Sequence, residues 1–383
     1  MTPPPLALYV HVPWCVRKCP YCDFNSHVRP AVLPEKAYVD ALLADLRRDL
    51  GGIGGRPLTS IFIGGGTPSL LSASAVGRLL RGVRDEVDCE PDLEVTLEAN
   101  PGAVEMGDLA GYRQAGVNRL SLGVQSFNSQ ILRALGRIHS AQEAERAVSL
   151  AKQAGFTRIN LDLMFGLPGQ TLGMARDDLQ TALQMDVEHL SYYQLTLEPN
   201  TAFHHSPPVL PDEEQIWEMQ QQGHALLRHG GYGQYEVSAF SRRDAQCRHN
   251  LNYWRFGDYL GIGAGAHGKL SHSDGRIERV WKRRHPDAYL AAGSDDRRQG
   301  QRDLTPQDLV LEFFMNALRL IEGVERRLFV ARTGLAEQVL ERPVSAAVAK
   351  TLLYPYPDRL CATPLGQRFL NDLLMMFEVN DFS

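Results

Sequence analysis

The chain has 383 residues, which is enough for one large domain and a smaller one. Its 44% hydrophobic and 22% charged residues are typical of an ordinary soluble protein, and its formal net charge of -5 gives no general attraction to nucleic acid. No apolar stretch is long enough to cross a bilayer, and six cysteines are too few for a disulfide framework. We therefore expect no nucleic-acid partner, a protein that is not an integral membrane protein, and, because the first residues do not resemble a signal peptide, a cytoplasmic location.

The first half of the chain alternates between strand-like and helix-like segments. Apolar, β-branched runs predict strands at residues 6–12, 59–63, 93–97, 119–124, 158–165 and 189–195. Between them, apolar residues at helical spacing predict helices around residues 39–50, 76–87, 144–151 and 175–183. This rhythm predicts parallel strands joined by right-handed crossovers. The predicted fold class is therefore α/β, an incomplete parallel (βα)6 TIM-like barrel, in which ligands bind at the carboxyl ends of the strands.

After residue 208 the pattern changes. A helix is predicted over residues 212–228 with Asp212 as its N-cap, followed by a loop-rich region that includes residues 249–254. The polar stretch 293–300 is typical of a linker. Beyond it, an amphipathic helix is predicted over residues 309–320. We therefore predict two domains, the partial barrel with its extension over residues 1–300 and a small, mainly helical C-terminal domain over residues 304–383.

Directly after the first predicted strand stands a C-x3-C-x2-C run formed by Cys15, Cys19 and Cys22. Three thiolates hold three irons of a [4Fe-4S] cluster and leave the fourth iron open for a ligand, whereas clusters for electron transfer normally have four protein thiolates. Zinc is the alternative, because His27 completes a possible Cys3His tetrahedron. The spacing alone leaves both metals open. His11, just before this loop, is expected to hydrogen-bond it.

Further along, polar residues stand where predicted strands end. Residues 64–68 include three glycines, which let a backbone approach a ligand closely, although a plain tight turn is the alternative. Glu98 and Gln125 follow later predicted strands, and Asp162 faces one side of an otherwise apolar strand. Each alone is also compatible with a structural polar group. Together they suit a ligand that carries hydroxyls and an ammonium group.

These motifs resemble those of the radical S-adenosylmethionine (SAM) superfamily. More narrowly, they are similar to the oxygen-independent coproporphyrinogen III oxidases and their haem-chaperone relatives, a resemblance that covers most of the chain. It is carried by the cysteine run, residues 64–68, Glu98, residues 123–127, Arg137 and residues 162–168, and it extends to residues 261–267 and the C-terminal domain.

The resemblance implies a [4Fe-4S] cluster on Cys15, Cys19 and Cys22, whose open iron binds the amino and carboxylate groups of SAM. It implies SAM contacts from Tyr9, Tyr21, Gly65, Gly66, Thr67, Glu98, Gln125, Arg137 and Asp162. It assigns no catalytic residue, and it leaves open whether SAM is cleaved or only bound.

Two features bear on the branch of the family. The oxidases continue the cysteine motif to a fourth cysteine, where this chain has Phe24, which puts oxidase activity in doubt. An HNxxYW run, formed by His249, Asn250, Tyr253 and Trp254, resembles a motif of the haem-chaperone branch, and imidazole and flat rings suit haem. An ordinary loop packed against the barrel mouth is the alternative for this run.

The resemblance therefore implies a haem chaperone that carries haem as cargo and delivers it to haem-accepting proteins, with membrane-bound respiratory enzymes as the candidate class. The alternative function is the oxidase itself. No pattern in the chain reports oligomeric state, so a homodimer stays open.

Overall fold

The computed structural model describes residues 3–102, 107–293 and 297–378. Its strands are β1 (Leu6–Val12), β2 (Trp14–Cys15), β3 (His27–Val28), β4 (Leu58–Gly65), β5 (Cys89–Ala99), β6 (Arg119–Gln125), β7 (Arg158–Phe165), β8 (His189–Gln194), β9 (Gly233–Glu236), β10 (Ala239–Ser241), β11 (Asp258–Ile262), β12 (His267–Ser271), β13 (Ile277–Lys282), β14 (Arg298–Asp303), β15 (Val324–Glu325) and β16 (Arg359–Leu360). Its helices are α1 (Glu35–Asp49), α2 (Ala73–Glu86), α3 (Leu109–Ala115), α4 (Ser129–Ala134), α5 (Ala141–Gln153), α6 (Leu172–Gln184), α7 (Ala202–His205), α8 (Glu213–His229), α9 (Arg248–Trp254), α10 (Pro286–Ala291), α11 (Pro306–Ala317), α12 (Arg326–Thr333), α13 (Glu341–Ala349), α14 (Pro364–Arg368) and α15 (Leu370–Met375).

One large sheet organises the molecule, with its strands in the order β14-β13-β12-β11-β1-β4-β5-β6-β7-β8-β10-β9. The seven strands from β11 to β8 in this order pair with one another in parallel, and the pairing becomes antiparallel beyond both of these strands. The six strands predicted from the sequence are β1 and β4 to β8, in that order across the sheet. These strands could be predicted because they carry apolar residues on both faces, as strands covered by helices do. In β1, six of the seven residues are buried. The predicted α/β fold with its large parallel sheet is confirmed.

Helices cross between these strands, and side-chain caps begin them where the sequence places Ser, Thr or Asp. Ser72 caps α2, Thr171 caps α6, and Ser140 forms a capping box at the start of α5. Asp212 caps α8 as predicted, because its carboxylate accepts a hydrogen bond from the Gln215 amide at 2.8 Å.

The sheet continues beyond the parallel strands, and here two sequence-based predictions are wrong. Residues 249–254, predicted as part of a loop-rich region, lie in helix α9, where His249 and Asn252 are buried. The predicted linker over residues 293–300 is wrong from Arg298 onward, because β14 pairs antiparallel with β13. This edge strand is polar and largely exposed, so it carries no hydrophobic pattern. Residues 294–296 lie outside the described residues.

The described residues form two large apolar cores. The first is formed between the parallel sheet and its helices. The second is formed mainly by the helices from α11 onward, but it also includes Phe256, just before β11, and Ile277 of β13. The division near residue 304 stays a prediction. No helix among the described residues is long and apolar enough to cross a bilayer.

Candidate functional site

The three cysteines lie on one loop that leaves β1. Short strands close this loop, since Trp14 and Cys15 pair with His27 and Val28, and the Arg29 amide donates to the Cys15 carbonyl at 2.9 Å. Cys15 is buried, whereas Cys19 and Cys22 are partly exposed. The loop thus presents the thiols at the carboxyl end of the parallel strands, where ligands bind in such folds.

The glycine-rich segment after β4 lies directly against this loop. The Gly66 amide donates to the Val12 carbonyl at 2.7 Å, and the Thr67 amide donates to the Trp14 carbonyl at 2.7 Å. A Cβ atom on Gly66 would lie 2.6 Å from the Trp14 carbonyl oxygen and 3.0 Å from Cys15 Sγ. Only glycine fits so close an approach of two backbones, so this segment is more than a plain turn.

A cavity of about 400 Å³, which we call the cysteine cavity, brings most of the predicted residues together. Its lining includes Cys15, Cys19, Tyr21, Cys22, Gly65, Gly66, Thr67, Glu98, Gln125, Arg137, Asp162, Asn250 and Trp254. Tyr9 and Tyr253 line the neighbouring cavity, and His249 lines neither. The cavity lies at the strand ends, as expected for this class of fold.

Two carboxyl groups face the cysteine cavity in an environment that disfavours negative charge. Burial, together with the charge of Asp162, raises the pKa of Glu98 to about 8, although the Gly65 amide donates to Glu98 Oε2 at 3.0 Å. Burial also raises the pKa of Asp162, against hydrogen bonds from Ser121 at 2.9 Å and Asn160 at 2.9 Å. A cationic ligand group would relieve this cost, so the pair suits an ammonium ion.

Arg137 supplies a positive charge to the cysteine cavity, which Arg17 also lines. Its Nη2 donates to Asn100 Oδ1 and to the Gly123 carbonyl, both at 2.6 Å, and its Nη1 lies 3.7 Å from Cys19 Sγ. The guanidinium is thus held beside the cysteine loop, where it can meet a carboxylate of a ligand.

Several residues of the cysteine cavity were missed as site residues in the sequence. Tyr193 donates to Gln125 Oε1 at 2.8 Å, and Gln125 has a left-handed backbone with φ 69°. Ser121 and Ser191 lie beside Asp162 in the lining. Tyr193 stands near the carboxyl end of β8, a position that could have indicated it, whereas Ser121 and Ser191 lie earlier in β6 and β8.

The residues of the HNxxYW run have different surroundings in the structure: Asn250, Tyr253 and Trp254 line cavities, whereas His249 does not. His249 is buried, and both of its ring nitrogens are engaged, Nδ1 with Ser60 Oγ at 2.9 Å and Nε2 with the Tyr253 hydroxyl at 3.0 Å. Its ring stacks on Phe62 with centroids 5.0 Å apart, and burial lowers the pKa of His249 to about 3. This imidazole is thus neutral and structural in the conformation seen, so a haem contact from His249 stays a prediction that would require local opening.

The neighbouring cavity, which we call the histidine cavity, has a volume of about 660 Å³. Its walls include Tyr9, Phe24, Tyr253, Tyr259, His267 and Trp281. It shares Phe24, Gly65 and Glu98 with the cysteine cavity, so the two cavities adjoin.

His11 lies between the cysteine loop and these cavities. Its Nε2 donates to the Asn25 carbonyl at 2.8 Å, which confirms the predicted hydrogen bond to the loop, and the Tyr9 hydroxyl lies 2.9 Å from its Nδ1. Burial lowers the pKa of His11, in keeping with a neutral ring that has one donor and one acceptor nitrogen.

A mononuclear zinc site gains no support. His27 Nε2 lies 3.3 Å from Asn25 Oδ1, and its ring packs against His285 with centroids 5.1 Å apart. Within residues 3–102, 107–293 and 297–378, no three His, Cys, Asp or Glu side chains stand together as ligands of one metal ion.

Comparison with known proteins agrees with this architecture. Residues 9–182 match the radical SAM superfamily, and residues 304–369 match the HemN C-terminal domain. The chain is 51% identical to "Heme chaperone HemW" of Escherichia coli over 98% of both chains. It is 49% identical to the protein of the same name from Haemophilus influenzae, again over 98% of both chains.

A solved structure shares the whole fold. The coproporphyrinogen III oxidase HemN of Escherichia coli, described as a radical SAM enzyme, superposes with a TM-score of 0.82 at 23% identity. The match covers 98% of this chain and 91% of the oxidase chain. The cysteine loop, the strand-end cavity and the full-length identity all agree: the chain belongs to the radical SAM superfamily and, within it, to the HemW family.

Proposed function

We propose that this protein is a haem chaperone on a radical SAM scaffold, which binds a [4Fe-4S] cluster, SAM and haem. It would deliver haem to acceptor proteins, with membrane-bound respiratory enzymes as the candidate class. The observation that carries the proposal is the identity of about half of all positions, over 98% of the chain, with proteins named heme chaperones. The six cysteines are too few for a disulfide framework, which also supports a reducing, cytoplasmic location.

The cysteine cavity fits the two cofactors. Cys15, Cys19 and Cys22 would hold the cluster, since they share one loop and leave no fourth thiolate beside it. When bound and reduced, the cluster would supply the electron for any cleavage of the SAM sulfonium. Because Gly66 has no side chain, the space beside Cys15 stays open. The methionine part of SAM would lie there.

The charged groups of the cysteine cavity fit the two ends of an amino acid. Glu98 would accept the ammonium group of SAM together with the backbone at Gly65 and Thr67, because burial makes an unpaired carboxylate there costly. Arg137 would meet the carboxylate, and Asp162 would accept hydroxyl hydrogens. Tyr9, Tyr21 and Gln125 complete the proposed SAM contacts.

The alternative is an oxygen-independent coproporphyrinogen III oxidase. Phe24, which stands where the oxidases have a fourth cysteine, argues against it. Its side chain is 59% exposed and lines both cavities, so the position adjoins any substrate that reaches the cluster.

One anaerobic reaction tests the two functions against each other. Reconstituted protein is mixed with a reductant, SAM and coproporphyrinogen III, and both 5′-deoxyadenosine and protoporphyrinogen are quantified. We expect no protoporphyrinogen, and we expect haem-loaded protein to transfer its haem to an apo-form of a b-type haem protein. Protoporphyrinogen formed over multiple turnovers would make the protein an oxidase and overturn the proposal.

A further inference from the structure

We propose that the histidine cavity is the haem site, with His267 as the imidazole ligand of the iron and Arg284 as the partner of a haem propionate. This inference rests on the proposed function, because a haem chaperone needs a haem pocket. It differs from the sequence-based expectation, which assigned the haem contact to His249.

The walls of the histidine cavity suit a flat macrocycle. Tyr9, Tyr253, Tyr259 and Trp281 line a space of about 660 Å³, within the ~300–1,000 Å³ of typical ligand pockets. Aromatic faces pack favourably on extended ring systems. The HNxxYW run thus contributes Tyr253 to this cavity, while its histidine lies behind that ring, bonded to the Tyr253 hydroxyl.

The histidine side chains around the cavity differ in whether a ring nitrogen is available to bind iron. Both ring nitrogens of His11 and of His249 are engaged in hydrogen bonds. His267 begins β12 with an exposed side chain, and its ring makes no hydrogen bond within the part of the chain that the structure describes.

A cation lines the same cavity. Arg284 is exposed, and no acidic side chain among the described residues pairs with it. The neighbouring Lys282 is not comparable, because its Nζ is bound to Asp45 and Asp49 at 2.5 and 2.6 Å. A guanidinium left unpaired at the edge of an aromatic cavity is suited to a carboxylate of the ligand.

Phe24 links this cavity to the cysteine loop. Its ring is 59% exposed although it lies in the lining of both cavities, and a ligand in the histidine cavity would cover it. The next residue, Asn25, donates to the carbonyls of Ala264 and Arg284 at 2.9 and 2.8 Å. The loop that carries the cysteines therefore holds both chain segments that lead to His267 and Arg284.

Haem titration of the full-length, cluster-reconstituted protein tests the site. His267→Ala should remove the absorption and electron paramagnetic resonance signals of imidazole-ligated haem and weaken haem binding at least about tenfold. Added imidazole should restore those signals in the variant, which a merely structural role would not allow. His229→Ala, at an exposed histidine far along the chain on α8, is the matched control and should bind haem like the parent protein.

The outcomes separate the site from the function. If His267→Ala keeps the parent spectrum and affinity, while His249→Ala loses them with its fold intact, the haem site is wrong and the chaperone proposal stands. If the parent protein itself binds no haem, the proposed function fails first.

A second variant tests the propionate contact. Arg284→Ala should weaken haem binding about tenfold without changing the iron spectrum. With haem dimethyl ester, whose propionates carry no charge, parent protein and variant should bind alike. An equal loss of affinity for haem and for its ester would rule out the propionate contact.

Discussion

The hydroxyl of Tyr253 lies 3.0 Å from Nε2 of His249, and one helical turn of α9 thereby joins a cavity wall to a buried imidazole. The other ring nitrogen of His249 reaches Ser60 on β4 at 2.9 Å. The hydrogen bond to Ser60 fastens α9 to the parallel sheet, and the bond to Tyr253 holds the imidazole within the helix. The histidine of the HNxxYW run is therefore an anchor in this conformation, and the tyrosine is the residue that faces the histidine cavity.

His249→Ala should consequently lower the free energy of unfolding by about 2–4 kcal/mol, because two buried hydrogen bonds are lost and a cavity forms. Anaerobic denaturant unfolding of the reconstituted protein measures this. His229→Ala should leave the unfolding midpoint unchanged within error, since that side chain is exposed. An unchanged midpoint for His249→Ala would contradict the anchoring role.

Glu98→Gln should change how stability depends on pH. The pKa of Glu98 is about 8 in the folded protein, against 4.5 for an ordinary glutamate, so the native state holds a proton that the unfolded state releases between these values. Stability from this group is present below pH 4.5 and decreases as the pH rises towards 8. Glutamine cannot ionise, so the variant should lose part of that decrease.

Thermal unfolding at about pH 6 and about pH 9 measures this difference. The exposed Glu145→Gln serves as the control and should follow the parent protein at both values. If SAM binds as proposed, Glu98→Gln should also bind it more weakly. Parallel pH profiles of parent protein and Glu98→Gln would contradict the raised pKa.

Gly66→Ala should prevent stable assembly of the proposed cluster. A methyl group there would lie 2.6 Å from the Trp14 carbonyl oxygen and 3.0 Å from Cys15 Sγ, so the cysteine loop would have to move. Iron and sulfide analysis after reconstitution, with the visible absorption of thiolate-bound iron, measures the loss. Gly51→Ala is the control, because its added Cβ would meet nothing within 4 Å. Full cluster content in Gly66→Ala would show that the loop tolerates displacement.

Asp258→Asn should destabilise the sheet extension that carries Tyr259 and His267. The Asp258 carboxylate is fully buried and accepts hydrogen bonds from Lys269 at 2.8 Å and Arg56 at 2.7 Å. Leaving these cations without their charged partner should cost about 3–5 kcal/mol of the free energy of unfolding. The control is Asp274→Asn, whose carboxylate is 54% exposed beside Arg276, and it should have little effect.

The same carboxylate should contribute to acid sensitivity. Burial acts to raise the pKa of Asp258, but Lys269, Arg56 and the Ser271 amide outweigh it, so the pKa lies below its usual value. Its stabilisation is therefore present above about pH 3.9, the ordinary value, and is lost as the pH falls through the folded pKa. Acid unfolding followed by circular dichroism should show a smaller loss of stability with falling pH in Asp258→Asn than in the parent protein.

Asn25→Ala should weaken haem binding and cluster retention together. Its amide nitrogen donates to the carbonyl of Ala264, which precedes His267 in the chain, and to that of Arg284 itself, while its backbone belongs to the cysteine loop. Haem affinity and iron content measured on the same preparation test this coupling. Asn316→Ala, which removes an equivalent side-chain bond to the Glu312 carbonyl in α11, should alter neither. A loss of iron with unchanged haem affinity would show that the two cavities are independent.

Local sequence was sufficient for much of the fold. The runs that became β1 and β4 to β8 are apolar on both faces, as strands covered by helices must be, and capping side chains such as Asp212 mark where helices begin. It was not sufficient for β14, whose polar residues are ordered by pairing with β13 and not by burial. The same holds for α9, because its buried face consists of polar residues such as His249 and Asn252.

The candidate site shows the same contrast between what local sequence indicates and what depends on tertiary packing. The cysteine spacing and the polar residues at strand ends are local patterns, and parallel strands bring their carboxyl ends to one edge, so the sequence by itself indicated many of the residues that line the cysteine cavity, although not Ser121, Ser191 or Tyr193. Which imidazole is engaged and which is available depends on partners far apart in the chain, such as Ser60 for His249. Only the tertiary structure could therefore place Phe24, His267 and Arg284 around one cavity, because that neighbourhood is created by the packing of the sheet extension against the cysteine loop.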